Sequence, residues 1–258
     1  MDKLPTISTV YFERSDTPGF SRTVVPNCGV VDGTNYCQIS FPDSTNDRFI
    51  SYAVSYEEYD SDEEAEALAA LEDGAISDLA RTILTRNGIT LLENIDGNFG
   101  PNYREYGAWM DHSAFAVETG HGLQESGVTV TSRSAQARGD LTGSRPAANA
   151  TWRGLMVGTP ARGARRDNLL QGDATLTFTA DDNQIDATFS DIVDLDRNAP
   201  HSVEEVRFRN VPVAADGTYA QGSGSNRIEG GFYGTNHAET AGIFEQRNIV
   251  GAYGAKRE

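Results

Sequence analysis

Asp111-His112-Ser113 places the three side-chain types of a hydrolase relay in consecutive positions. A working relay needs the serine hydroxyl against the imidazole and the imidazole against the carboxylate. Neighbours in a strand point to opposite faces, so this run cannot build one. His112 stands near Trp109 and Phe115, where a half-buried, hydrogen-bonded histidine is expected. His121, His201 and His237 are scattered, and no pair has metal-ligand spacing. Asp191, Asp194 and Asp196 could offer oxygens to calcium, but the glycine spacing of an EF-hand is missing, and a solvated loop is expected. Gly222-Ser223-Gly224-Ser225-Asn226-Arg227 lacks the third glycine of a dinucleotide fingerprint and reads as a turn. Asn149-Ala150-Thr151 is a formal glycosylation sequon. No nucleophile–base pair or paired carboxylates stand out, so no catalytic residue, resident metal or cofactor is expected.

The two cysteines carry more. Cys28 and Cys37 flank Asp32-Gly33, a hairpin signal between two apolar-flanked runs. A hairpin there sets the sulfurs opposite each other, and a disulfide is expected, with two unpaired thiols as the alternative. If bridged, the pair implies an oxidising compartment. Met1-Asp2-Lys3 opens without an apolar leader. We read the start as trimmed, with any signal peptide and anchor upstream.

The elements that would position these residues are mainly strands. Alternating runs at 6–12, 22–25, 38–41 and 49–56 are separated by Gly, Pro, Asn and Asp. Between them and a run at 89–92, Ser61-Asp62-Glu63-Glu64 reads as a capping box. Leu68, Leu71, Ala75, Leu79 and Ile83 follow at helical spacing, Arg81 and Arg86 suit the last turn, and Asn87-Gly88 ends it. These signals predict an amphipathic helix over about 62–87. The polar run 126–150 reads as a linker. Eight short runs follow, at 151–157, 174–179, 184–190, 205–210, 218–221, 228–233, 241–246 and 249–255. Eight strands with no intervening helix suit an up-and-down barrel.

Thirty-eight acids against 21 bases give a net charge of −17, a field that repels phosphate backbones and disfavours nucleic acid as a partner. Residues 1–150 hold 23 of the acids, seven of them within Glu57–Glu66, which reads as a solvated face, with attraction of a basic partner as the alternative. Nineteen of the bases are arginine. No apolar run approaches eighteen residues, so no membrane-spanning helix is expected.

The end of the chain is the most specific part. Phe232-Tyr233-Gly234-x-Asn236-x-Ala238-Glu239-x-x-Gly242-x-Phe244 is followed by Ile249 and then Val-Gly-Ala-Tyr-Gly-Ala-Lys-Arg257. Glycines alternating with bulky residues let coiled strands bend while aromatics fill the space opposite. This pattern resembles the closing strands of the barrel in the transferrin-binding protein B-like surface lipoproteins of Gram-negative bacteria. Thr151–Gly158 and Gly172–Phe178 are similar to that barrel's opening strands, and the resemblance covers about 151–258. It departs from the best-known members in having one barrel rather than two lobes, and residues 1–150 carry no matching motif.

The resemblance implies a C-terminal eight-stranded antiparallel β-barrel (146–258) preceded by a β-rich handle domain with one helix (1–145). It implies a non-enzymatic binding protein at the cell surface or outer membrane, held there by a lipid anchor rather than a transmembrane segment. A protein ligand, basic or iron-bearing and tied to iron acquisition, is the expected partner; haem or another small cargo is the alternative. Trp152, Phe178, Phe189, Phe208, Phe232, Tyr233, Phe244 and Tyr253 are expected to fill the barrel, which leaves binding to loops and the N-terminal portion. Tyr56, Tyr59, Tyr106, Trp109 and His112 are the candidate binding residues, since tyrosine and tryptophan dominate binding hot spots.

Overall fold

The computed structural model describes residues 7–14, 21–24, 27–31, 34–43, 48–56, 80–94, 104–125, 128–139 and 141–258. Every α-helix-forming signal noted above fell at 62–87. Residues 62–79 lie outside the described residues, and 80–86 form a strand. Asn87 and Gly88 take φ values of 56° and 70°, a two-residue hairpin turn rather than a helix stop. Thr82, Ile83 and Thr85 are β-branched, and Leu84 pairs with Leu91 across the hairpin. Cross-strand pairing there overrides the helical spacing.

Ten strands precede residue 140: β1 (Ile7–Arg14), β2 (Ser21–Val24), β3 (Asn27–Val31), β4 (Thr34–Asp43), β5 (Arg48–Tyr56), β6 (Ala80–Arg86), β7 (Ile89–Asn94), β8 (Arg104–Trp109), β9 (Ser113–Glu125) and β10 (Val128–Gly139). They form a seven-stranded antiparallel sheet, β2-β1-β10-β9-β8-β7-β6, and a three-stranded one, β3-β4-β5. Twelve of the 25 residues in the polar run read as a linker are therefore the long strand β10. Its Ala135 and Ala137 are buried beside Val117 and Phe115 of β9, and small inward residues had hidden the alternation.

Nine strands follow: β11 (Ala150–Pro160), β12 (Leu170–Thr179), β13 (Gln184–Asp194), β14 (Ala199–Pro200), β15 (Glu205–Pro212), β16 (Thr218–Ser223), β17 (Asn226–Tyr233), β18 (Glu239–Gln246) and β19 (Ile249–Arg257). All eight expected strands are present in one antiparallel sheet, with two-residue β14 as an addition on β13. The first of them pairs with the last, Trp152 opposite Arg257 through Pro160 opposite Ile249. The ring does not close, however. β15 and β16 share no ladder; the single bridge Val213–Tyr219 and a hydrogen bond from Gln221 Nε2 to the Arg209 carbonyl (3.3 Å) span the gap. Asn210 sits at φ 56°, beside a register shift against β13, with its N–H given to Asp186. Such a bulge bends β15 locally.

Side-chain alternation divides the apolar residues into two cores. Trp152, Met156, Phe178, Phe189, Phe208, Phe232, Phe244 and Tyr253 are buried inside the curled sheet. Leu155, Val157, Tyr233, Ala241, Ile243 and Val250 point outward and are buried with Ile89, Leu91, Tyr106, Phe115 and Val117 of the seven-stranded sheet. Tyr233 therefore does not fill the barrel as expected. Phe232 faces in, so its neighbour must face out.

Candidate functional site

The run Asp111-His112-Ser113 turns the chain from β8 into β9, and a barrel residue organises it. Glu239 of β18, buried, accepts the N–H of Asp111 (2.9 Å), the N–H of His112 (3.1 Å) and the hydroxyl of Ser113 (2.8 Å). Three donors are what a carboxylate removed from water needs. Ser113 thus donates to a carboxylate and not to an imidazole. His112 is exposed rather than half-buried, its ring lying over Gly234, where a Cβ would fall 2.2 Å from the histidine Cδ2. The arrangement is a fastening between the sheets, and no proton relay exists in it. Lys256 Nζ on Asp111 (2.9 Å) adds an exposed ion pair to the same turn.

Polar contacts continue along the junction. Tyr106 is buried, and its hydroxyl donates to Gln171 Oε1 at 2.7 Å. Burial, with the nearby Glu93 carboxylate, drives its phenol well above the ordinary range. Arg104 bridges Glu93 (2.8 Å) on its own sheet and Asp196 (2.8 Å) on the other. Buried Arg133 meets Asp167 at 2.9 Å, and Thr119 donates to the same carboxylate at 2.5 Å. Arg86 pairs with Asp173. The junction is apolar at its centre and ionic along its margins.

The inside of the barrel sheet is occupied by its own side chains. Phe189 stacks on Phe244 with centroids 4.4 Å apart, and Trp152 lies 4.9 Å from Phe232. Its polar atoms answer one another. Tyr253 donates to the Tyr219 hydroxyl (2.8 Å), Tyr219 and Thr240 share a bond of 2.7 Å, and Thr240 donates to the Gly231 carbonyl (2.9 Å). Gly230 and Gly242 make this possible: a Cβ at either would come within 2.5 Å of the Tyr253 hydroxyl. Desolvation raises both phenols well above their usual range.

The remaining sequence candidates fall apart in space or outside the described residues. Tyr56 ends β5 opposite Asn35, and Trp109 ends β8 opposite Ala114; the side chains of both lie outside the described residues, as does Tyr59 entirely. Cys28 and Cys37 are direct partners in the β3–β4 ladder. His237 Nε2 lies 2.9 Å from the Ser144 carbonyl, and His201 Nδ1 accepts the Val203 N–H at 3.1 Å. Among the described residues no three His, Cys, Asp or Glu side chains converge as metal ligands would. Asp194 and Asp196 are engaged by Asn168 and Arg104 rather than arranged around a cation. Glu239 and Gln171, which hold the junction together, went unmarked as site residues. Glu239 stands inside the glycine-rich signature, but nothing in its spacing announces a partner 126 residues away.

Residues 166–257 match the family model for the C-lobe and N-lobe β-barrels of transferrin-binding protein B. No curated protein matches the chain in sequence. Among solved structures the chain is similar to a surface lipoprotein (10% identity, TM-score 0.42, covering 99% of this chain and 100% of that one). It is also similar to an intact "Ap" transferrin-binding protein B with N and C lobes (11% identity, TM-score 0.38, 92% of this chain and 54% of that one). The N-lobe of lactoferrin-binding protein B from Moraxella bovis is a third likeness (14% identity, TM-score 0.35, 98% and 99%). The chain thus spans about half the length of the intact two-lobed protein. Residues 166–257, which hold most of the barrel sheet, are thus similar to the β-barrels of transferrin-binding protein B.

Proposed function

We propose that this chain is a non-enzymatic binding protein, displayed on the surface of a Gram-negative cell, that captures a protein ligand in the service of iron acquisition. The observation that carries the reading is the match of residues 166–257 to the transferrin-binding protein B barrel family. The filled barrel supports it, because Phe189, Phe244, Trp152 and Phe232 occupy the space that a small cargo would need. A partner must then be held from outside, as a protein is. The one hydrolase-like run is consumed by Glu239, which supports a non-catalytic role. Lipid anchoring at the outer membrane belongs to the same reading.

The test is to immobilise the full chain, pass host serum over it and identify what is retained in stoichiometric amount, beside a haem titration read by its absorbance band. A retained host iron-carrying protein with no haem complex is the expected result. A stoichiometric haem complex with nothing retained from serum overturns the proposal in favour of small-ligand cargo.

A further inference from the structure

The two ends of the barrel sheet differ in charge. At one end, the turns after β12 and β15 expose Asp181, Asp182 and Asp216 beside exposed Arg145 and Arg257. At the other, the loops β11–β12, β13–β14 and β18–β19 expose Arg162, Arg165, Arg166, Arg197 and Arg247. Strand direction alone puts these three loops together, since β11, β13 and β18 all run toward them. Hydrogen bonds then lock them. The Ala161 N–H donates to the Asn248 carbonyl (2.8 Å) and Asn248 Nδ2 to the Arg162 carbonyl (3.1 Å). Asn168 Nδ2 donates to buried Asp194 (2.9 Å), and the Leu169 N–H to Asp196 (2.8 Å).

Three acids near these loops are engaged, Asp167 by Arg133, Asp196 by Arg104 and Glu205 by Arg207, while Glu204 before β15 is exposed. Arg165, Arg197 and Arg247 make no side-chain hydrogen bond or ion pair with the described residues. Arg247 also occupies the first position of a turn at φ 51°, followed by Asn248 at 67°. Such turns favour Asn, Asp or Gly, so an arginine is held there against local preference. Three guanidiniums without a side-chain partner among the described residues thus stand on fastened loops at one end of the sheet and form a cationic patch.

We propose that this end of the barrel is a docking surface for a carboxylate-rich segment of a protein partner. The proposal rests on the protein-capture reading and names the chemistry of one contact. Guanidinium forks match carboxylates two bonds at a time, and several together give an exposed surface the strength that one ion pair lacks. The residues between the arginines favour a protein over a membrane. Gly163, Ala164, Asn198 and Asn248 offer no bulky apolar side chain for insertion among lipids.

The experiment uses the full chain and a fluorescein-labelled deca-glutamate peptide, with anisotropy read at low and high salt. Binding should be salt-sensitive and about tenfold weaker in R165E/R197E/R247E, while R145E at the opposite end stays within about twofold. R165Q/R197Q/R247Q serves where the reversed charges prevent folding, and should weaken binding in the same direction. No peptide binding at low salt, or equal loss in R145E, overturns the proposal. So does arginine-dependent binding to phosphatidylglycerol vesicles without peptide binding. The two readings fail separately. Arginine-dependent peptide binding with nothing retained from serum sinks only the capture reading; a serum protein retained equally by R165E/R197E/R247E sinks only the docking surface.

Discussion

The Glu239 carboxylate holds the Ser113 hydroxyl at 2.8 Å, joining a barrel strand to the turn that starts β9. The same carboxylate takes two backbone N–H groups of that turn, so one side chain closes three donors that burial would otherwise strand. Replacing it by alanine removes all three partners at once. Glu239→Ala should lower the unfolding free energy by about 2–3 kcal/mol, Ser113→Ala by about 1 kcal/mol, and exposed His112→Ala by little. Denaturant unfolding of the three variants checks the order. A His112→Ala cost equal to that of Glu239→Ala would show that the imidazole, not the carboxylate, holds the turn.

Glu245, six residues further along β18 and therefore on the same face as Glu239, has a different environment. It is buried, and burial pushes its carboxyl up to about 7; the Arg227 Nε, 4.0 Å away, does not offset this. The sign follows from proton counting. Between the ordinary value of 4.5 and about 7, the unfolded chain has released this proton while the folded chain keeps it. The unfolded state binds fewer protons there, so stability falls as pH rises through that window and levels off above it. Urea midpoints measured from pH 4.5 to 8 should show the decline, and Glu245→Gln should flatten that component. A Glu245→Gln profile with the slope of the parent would assign the titration to another group.

Much of this was legible in the sequence, for a physical reason. In β12, β13 and β15 burial alternates along the strand: Leu170, Ala174, Leu176 and Phe178 in β12 face in, with polar residues between them, and Asp-Asn or Arg-Asn turns mark strand ends. That code is local. What failed was non-local. Residues 80–86 carry apolar spacing that suits a helix, and only the pairing of β6 with β7 decides for a strand. β10 looked like a linker because its inward residues are alanines, which report a face only once Phe115 and Val117 are known to lie beside them. Of the candidate site, the sequence showed Asp111-His112-Ser113 and Tyr106 as notable residues, but their partners Glu239 and Gln171 are 126 and 65 positions distant. The loop arginines share an end only through the strand order.

Cys28 and Cys37 face each other across the β3–β4 ladder. Directly opposed residues in an antiparallel pair stand about 4.5–5.5 Å apart at Cα, within the span a disulfide bridges without backbone movement. Protein purified under oxidising conditions should therefore carry this bond, and its intact mass should be two hydrogens below that of the reduced chain. Breaking it by Cys28→Ser/Cys37→Ser should cost about 2–3 kcal/mol, the scale for a short closed loop. Two alkylatable thiols in the native, non-reduced protein would defeat the expectation.

The last strand tests how the barrel sheet holds together without a closed ring. β19 lies between β11 and β18 and hydrogen-bonds to both along its length. Its inward residues Ile249, Tyr253 and Ala255 belong to the inner core, and its outward Val250 and Ala252 to the core shared with the seven-stranded sheet. The open seam lies elsewhere, between β15 and β16, so no second ladder joins the sheet's first strands to its last. Deleting residues 249–258 should split the sheet at its middle, expose both flanking edges and remove apolar contacts from both cores. The expected outcome is loss of the cooperative thermal transition, with dye binding to exposed apolar surface. A shortened chain that melts cooperatively near the parent temperature would mean that β11 and β18 can pair directly, and the assignment of β19 as the joining strand would fall.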